Sequence, residues 1–459
     1  MLLGTPSAAA ARGLTLGFSA DPVLTGDSAA IRALWIPRAL KVGAQMVRVN
    51  VYWSEIAPRN RPRGFRAANP SSPGYQWTAL DAVIRQLTEN GLSVLMNVSS
   101  APTWAEGPHR PPGATAGSWR PNATAFGQFA TALATRYDGH YQDPSEPGQT
   151  LPRVRDWQAW NEPNLSLYLD PQWTRTGSGW APASPVIYRA LLNSFYAAVK
   201  HVSDSNFVVT AGTAPYGDPP GHARMAPVTF DQNLFCLNRA LAPLPCPDPP
   251  HLDALSHHPY GIGGPLWHAL NADDVAVPDI YKLTRILHAA QRYGHALPRG
   301  PKQFWVTEIS WDSDPPDPHG VPIQTQARWL EQALYVLWRQ GVSTVLWLLI
   351  ADEPCVPNCA TTYQAGVYYD NGTPKPSAQA FQFPFVTDRQ SRSQLIAWGR
   401  APQGGTAAIQ LRRGHHWTTL RRVHVAAGAV FTTMISVSGR ATLRAVVGGQ
   451  ASLSWTQGA

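Results

Sequence analysis

Val154-Arg-Asp-Trp-Gln-Ala-Trp-Asn-Glu-Pro-Asn164 is the stretch on which the fold turns. Residues 154–160 read as a buried strand that stops abruptly at Asn161-Glu162-Pro163, where proline forces the chain outward. A carboxylate at a strand's C-terminal end, with an amide beside it, stands where barrel enzymes keep their chemistry. Gln303-Phe-Trp-Val-Thr-Glu308 repeats the pattern and again ends on a glutamate. Two glutamates at two strand ends suggest the paired carboxylates of glycosidic-bond cleavage.

The rest of the chain supplies a frame for that pair. Short apolar runs at residues 14–18, 46–51, 93–98, 154–160, 207–211, 254–257, 304–307 and 344–348 predict eight strands. Helical patterns lie between them: Trp77, Leu80, Val83, Ile84 and Leu87 recur at helical spacing before Gly91, and Leu330, Leu334 and Leu337 do so before Gly341. Eight alternating strand–helix units predict an α/β fold, a (β/α)₈ TIM barrel over residues 13–383. Past residue 384 helical periodicity disappears. Short strands at 396–398, 406–410, 423–425, 430–436, 441–447 and 451–455, parted by glycine-containing turns, predict a small C-terminal all-β, sandwich-like domain. Strands four and seven of an eight-stranded barrel face each other across its axis, so Glu162 and Glu308 can address one sugar ring from opposite sides.

Composition narrows the class. The 459 residues are 44% hydrophobic, enough for a large core, and 14% charged, against roughly 25% in an average soluble protein. The net charge of +8 comes mostly from scattered arginines, and no basic run is long enough to track a phosphate backbone, so a nucleic-acid partner is not expected. No stretch of 18 or more residues is apolar throughout, so no membrane span is expected. The four cysteines form two local pairs in proline-rich loops, Cys236 with Cys246 and Cys355 with Cys359. Disulfides and an oxidising compartment are favoured over zinc, for which no histidine stands at ligand spacing. Residues 1–12 resemble the tail of a secretory leader without its charged and hydrophobic regions, and read equally well as a gene-prediction start; a secreted protein is expected. Oligomeric state is left open.

On these residues the chain resembles the clan A glycoside hydrolases, particularly the cellulase-like family 5 and family 39 enzymes. Trp160-Asn161-Glu162-Pro163 and Trp305-Val306-Thr307-Glu308 match the clan's motifs at the ends of strands four and seven. The resemblance spans all eight barrel units. It implies Glu162 as general acid/base, Glu308 as nucleophile, Asn161 as a partner of the sugar 2-hydroxyl, and retention of anomeric configuration by double displacement. His257-His258-Pro259-Tyr260 matches the clan's His-x-Tyr on strand six, implying that Tyr260 donates to Glu308 and His258 lines the subsite. Arg48 matches the arginine on strand two that holds the nucleophile ionised, and Trp347 the sugar-stacking tryptophan of strand eight. On strand three Asn97 stands where the family often has histidine. Trp311 is one of several aromatics near strand ends, with Trp53, Trp104, Trp119, Trp173 and Trp267, about half of which are expected to line a cleft.

The implied chemistry needs no metal and no cofactor, only a carbohydrate substrate. A metal on the two adjacent histidines is disfavoured, because neighbours on a strand point to opposite faces. Long loops at residues 165–185, 261–278, 312–322 and 351–366 lean towards a walled pocket and exo-action, and the expected substrate is a β-linked plant or microbial glycan or glycoside. The rivals are an endo-acting enzyme of the same clan and a non-catalytic sugar-binding barrel. The C-terminal domain is expected mainly to cover the barrel's flank.

Overall fold

The alternating pattern closes into a ring of parallel strands. The computed structural model describes residues 13–19 and 21–458, so the leader-like reading of residues 1–12 lies outside the described residues. The ring consists of β1 (Thr15–Ser19), β2 (Met46–Tyr52), β3 (Ser93–Ser99), β4 (Asp156–Ala159), β5 (Phe207–Thr210), β6 (Ala254–His257), β7 (Gln303–Val306) and β8 (Val342–Trp347). Each pairs in parallel with its sequence neighbours, and β1 closes on β8 with Thr15 opposite Thr344. Helices such as Thr78–Glu89, Ala123–Arg136, Ser184–Val202 and Ile323–Arg339 form the outer layer. Gly91 and Gly341, with φ of 82° and 98°, follow two of these helices in the left-handed region.

Strand alternation sorts the barrel interior into layers. Met46, Leu95, Val209, Ala254, Trp305 and Leu346 form an apolar floor separate from the larger core between strands and helices. Two residues further along the same strands the inward positions turn polar: Arg48, Asn97, Ser256 and Thr307 are all buried. A period-2 strand that is apolar at its start and polar at its end fills the base of the barrel and leaves its top for chemistry.

The antiparallel part begins at Phe385. β9 (Phe385–Arg389), β10 (Gln394–Arg400) and β13 (Val430–Ser436) form one sheet; β11 (Gly405–Arg413), β12 (His416–Val425) and β14 (Ala441–Val447) form the other. The single strand expected at 451–455 is two short ones, Gln450–Ala451 and Trp455–Gln457, which pair separately with β14. Ser452 separates them, its hydroxyl accepting from the Ala445 N–H at 3.0 Å.

This unit packs against the outer barrel helix Ile323–Arg339 and the base of the barrel, away from the carboxylate end. Arg400 donates to the Leu14 carbonyl at 3.1 Å and to Gln45 at 2.7 Å. Tyr335 and Arg339 both reach Asp388, at 2.7 and 2.8 Å. Arg328 lies over the Trp455 ring, 3.8 Å from its centroid.

Glu331 is fully buried at this junction. One carboxylate oxygen accepts from the Phe385 N–H at 3.3 Å, and the other has no hydrogen-bond partner among the described residues. Burial pushes its carboxyl up to about 8, only partly opposed by Arg328 and that N–H. Folding therefore takes up a proton between about pH 4 and 8. The stability present below the unfolded value is lost as pH rises towards the folded one. Glu331→Gln is expected to match wild type in thermal denaturation at pH 4 and to melt about 3 °C or more higher at pH 8.

Candidate active site

The site begins with one guanidinium. Arg48, on β2, is fully buried. Its Nε donates to Gln158 at 2.6 Å, Nη1 to Ser19 at 3.1 Å and to Glu308 at 2.5 Å, and Nη2 to Asn161 at 2.6 Å. Gln158 is in turn held through its amide nitrogen by the Thr210 carbonyl, Ser256 and Thr307, at 3.0, 3.0 and 3.1 Å. A buried cation with these acceptors around it repays much of its desolvation; removing one partner of such a pair costs about 3–5 kcal/mol.

Glu308, just past the end of β7, sits between two donors, with Tyr260 Oη donating to its second oxygen at 2.9 Å. Burial resists ionisation of this carboxyl, but the charges of His258 and Arg48 and the hydrogen bonds from Tyr260 and Arg48 outweigh it, and its pKa is lowered. The Tyr260 phenol is pushed well up, by burial first and then by Glu308 and Glu162. It therefore stays a donor.

Glu162 is aimed by backbone strain. Trp160 and Glu162 have φ of 75° and 35°, a region non-glycine residues occupy only when the surroundings enforce it. Here Trp160 donates to the Val98 carbonyl at 2.8 Å, and the Glu162 N–H donates to the Gly212 carbonyl at 3.1 Å. The fully buried Asn164 accepts from the Ala214 N–H at 2.8 Å and donates to the Ala214 and Met225 carbonyls at 3.0 and 2.9 Å. Glu162 Oε1 lies 2.9 Å from His258 Nδ1, and His258 Nε2 lies 2.9 Å from Thr307 Oγ1. His257 points the other way, bonded to Thr213 and the Val275 carbonyl; burial first, and then His258, lower its pKa to about 3.

These groups open into a cleft of about 520 Å³ at the carboxylate end of the barrel, within the usual range for small-ligand sites of roughly 300–1,000 Å³. Asn97 lines it and donates to Asn50 at 2.9 Å, while its own carbonyl oxygen is buried with no partner among the described residues.

The structure thus brings together Arg48, Asn97, Asn161, Glu162, His258, Tyr260 and Glu308. Two expected residues are not with them. Trp347 is 1% exposed and donates to the Ala365 carbonyl at 2.7 Å. Trp311 is also buried, donates to the Gly263 carbonyl at 3.0 Å, and packs its ring against Trp329 and Trp347. Both are core between loops, and Leu348 and Leu349 line the cleft beyond β8 instead. Of the other aromatics named from sequence, Trp53 is wholly buried.

Sequence reading missed Tyr52, Tyr168, Glu353 and Tyr363, which also line the cleft. Glu353 and Tyr363 latch to each other, each backbone N–H finding an oxygen of the other residue at 3.0 Å. Their loop carries the Cys355–Cys359 disulfide; Cys236–Cys246 is the second disulfide. The loop is pinned from below by the buried Lys375, which donates to Asp352 at 2.6 Å and to the Gln364 carbonyl at 3.1 Å. Only Tyr52, the last residue of β2, carried a positional signal.

Glu162, His258 and Glu308 present one metal-ligating atom each within 4.8 Å of one another. Arg48 and Tyr260 already occupy both Glu308 oxygens, and both His258 nitrogens face Glu162 and Thr307.

No family model and no curated protein matches the chain. Solved structures do. A family 39 glycoside hydrolase from the gut symbiont Bacteroides cellulosilyticus WH2 aligns with a TM-score of 0.55 at 18% identity, over 93% of this chain and 81% of that one. A glucosidase from Croceicoccus marinus aligns at 0.52 and 14% identity, over 91% and 81%. A GH5_18 protein from Bifidobacterium longum subsp. infantis aligns at 0.50 and 14%, over 81% and 78%. The chain has the barrel fold of the clan A glycoside hydrolases that its motifs resemble.

Two substitutions test the geometry. A Cβ at Gly212 would lie 2.1 Å from His258 Nε2, so Gly212→Ala displaces the imidazole that holds Glu162; turnover is expected to fall by about 100-fold in a folded protein, read by steady-state kinetics against circular dichroism. Tyr260→Phe removes a donation that lowers Glu308. The acidic limb of its kcat/KM profile is expected to move to higher pH than that of wild type.

Proposed function

We propose that this chain is a retaining glycoside hydrolase acting on β-linked glycosides of a neutral sugar. The observation that carries the reading is the carboxylate pair: oxygens of Glu162 and Glu308 lie within 4.8 Å of each other, and His258, Arg48 and Tyr260 together favour the ionised form of Glu308 against its burial. That proximity is compatible with double displacement, for which carboxyl groups stand about 5–5.5 Å apart.

In the first step the Glu308 carboxylate attacks the anomeric carbon while the Glu162 carboxylic acid protonates the departing glycosidic oxygen, leaving a glycosyl ester on Glu308. In the second, Glu162 takes a proton from water as the water attacks that ester, releasing the sugar with its original configuration. Asn161, oriented by Arg48, is placed for the sugar 2-hydroxyl. The unpartnered Asn97 oxygen is free to accept from a ring hydroxyl.

A neutral glycone follows from the lining. Among the described residues no lysine, arginine or histidine lines the cleft, whereas Glu162, Glu308 and Glu353 do; an anionic sugar would meet three carboxyl groups and no lining cation among them. The loops carrying Leu165, Tyr168 and Tyr363 bound the cleft, which favours exo-action. The two disulfides favour a secreted protein.

The test is a panel of aryl β- and α-glycosides with wild type and Glu308→Ala. Wild type is expected to release aglycone from a neutral β-glycoside with retained configuration, and Glu308→Ala to lose at least about 10⁴-fold in kcat. Azide should restore turnover in the variant and give the inverted glycosyl azide. Full activity in Glu308→Ala, or an inverted product from wild type, would overturn the mechanism.

A further inference from the structure

The loop after β6 carries Ile262, Leu266, Trp267 and Leu270, exposed by 79, 56, 68 and 86%. Four large apolar side chains this bare within nine residues need an explanation, because isolated exposed apolar residues are ordinary but a contiguous cluster is not. Other groups hold the loop in shape. Trp311 donates to the Gly263 carbonyl at 3.0 Å, the Ile262 N–H donates to Tyr216 Oη at 3.2 Å, and Asp279 accepts from the Ala269 N–H at 2.8 Å. The Trp267 ring lies against the Gly263 backbone, where a Cβ would come within 2.3 Å of it. Hydrogen bonds thus hold the loop in shape, with the Trp267 ring packed back on Gly263, and Ile262, Leu266 and Leu270 stand out from it.

The surface is concave and adjoins the cleft through neighbouring residues of two loops. A hollow of about 230 Å³ lies between Tyr216, Arg224, Ile262, Trp267 and Leu270. Pro215 and Tyr260 line the catalytic cleft, and the next residues along the chain, Tyr216 and Gly261, line this hollow. Tyr216 Oη joins the two by donating to the Tyr260 carbonyl at 2.9 Å. It also lies on the side to which a leaving group departs. The aglycone exits past the proton donor, and the Glu162 loop is stitched to the β5 loop by Asn164 and by the Ser166 N–H donating to the Ala223 carbonyl at 2.8 Å.

We propose that this shelf binds an apolar aglycone, an alkyl or aryl group attached to the sugar through the scissile oxygen. The inference rests on the glycosidase reading above and names its substrate class. A tryptophan alone would also suit a second sugar, and Arg224, His268, Asn271 and Asp274 line the hollow too. Those polar groups are already engaged: Arg224 with Asp218, His268 with Asp279, and Asp274 with the Gly217 N–H and Asn271. The wall left to a ligand is Ile262, Trp267 and Leu270, which desolvates hydrocarbon well.

The experiment compares methyl and octyl β-glycosides of the sugar released from the aryl panel, using wild type and the double variant Trp267→Ser/Leu270→Ser. Wild type is expected to favour the octyl glycoside by about 50-fold in kcat/KM, through KM, and the double variant to bring the ratio within about threefold of unity with an unchanged melting temperature. Equal use of the two glycosides by wild type overturns the shelf while leaving the glycosidase standing. Absence of turnover on every glycoside, from folded wild type, overturns the glycosidase reading and the shelf with it. Calorimetric binding of the octyl but not the methyl compound to Glu162→Gln supports the shelf independently of turnover. Concentration-dependent dimerisation of wild type that the double variant abolishes, with the octyl preference intact, assigns the surface to a second copy and overturns the proposal.

Discussion

The buried charge of Arg48 is the constraint on which the top of the barrel depends. A guanidinium removed from water demands acceptors in its own plane. Ser19, Gln158, Asn161 and Glu308 meet that demand from β1, the β4 strand and its end, and the chain just past β7. One cation therefore sets the position of the nucleophile candidate and of the amide beside the acid candidate together. Its charge helps keep Glu308 ionised despite complete burial. The apolar floor of Met46, Leu95, Val209, Trp305 and Leu346 beneath it excludes water from below, so the pairing acts in a low-dielectric setting.

The second glutamate is held differently. Glu162 carries its strain in the backbone, and the cost is met by packing that spans two loops: Asn164 binds the β5 loop, Gly212 accepts the Glu162 N–H, and His258 meets the carboxylate. Two carboxyl groups of the same chemistry thus share the His258 imidazole, which bonds Glu162 and lies 3.7 Å from Glu308, but only Glu308 is also held by the Arg48 cation and the Tyr260 hydroxyl. Such a difference is what separates an acid from a nucleophile at one pH.

Much of this was legible before any coordinates. The eight strands were readable because parallel strands buried on both faces are short apolar runs, and their ends came within about two residues. Glu162, Glu308, Arg48 and Tyr260 were legible because their positions relative to strand ends constrain where they can point. Trp347 and Trp311 were misread because a large aromatic at a strand end satisfies core packing and cleft lining equally well in sequence. Here their indole nitrogens bond to carbonyls of neighbouring loops. Tyr168, Glu353 and Tyr363 were invisible because long loops have no periodicity to place their side chains.

The amino-acid sequence by itself determined the alternation of strands and helices, the change to antiparallel sheets near Phe385, and the strand ends that carry the carboxylates. Each is a local property, set by side-chain period, glycine stops and proline breaks. Tertiary structure alone decided which long loops reach over the cleft, which tryptophans were swallowed by the core, and how near the two glutamates stand. Those outcomes depend on contacts between residues more than a hundred positions apart, such as Arg48 with Glu308 and Asn161, and no local pattern encodes the distance that closing the barrel creates.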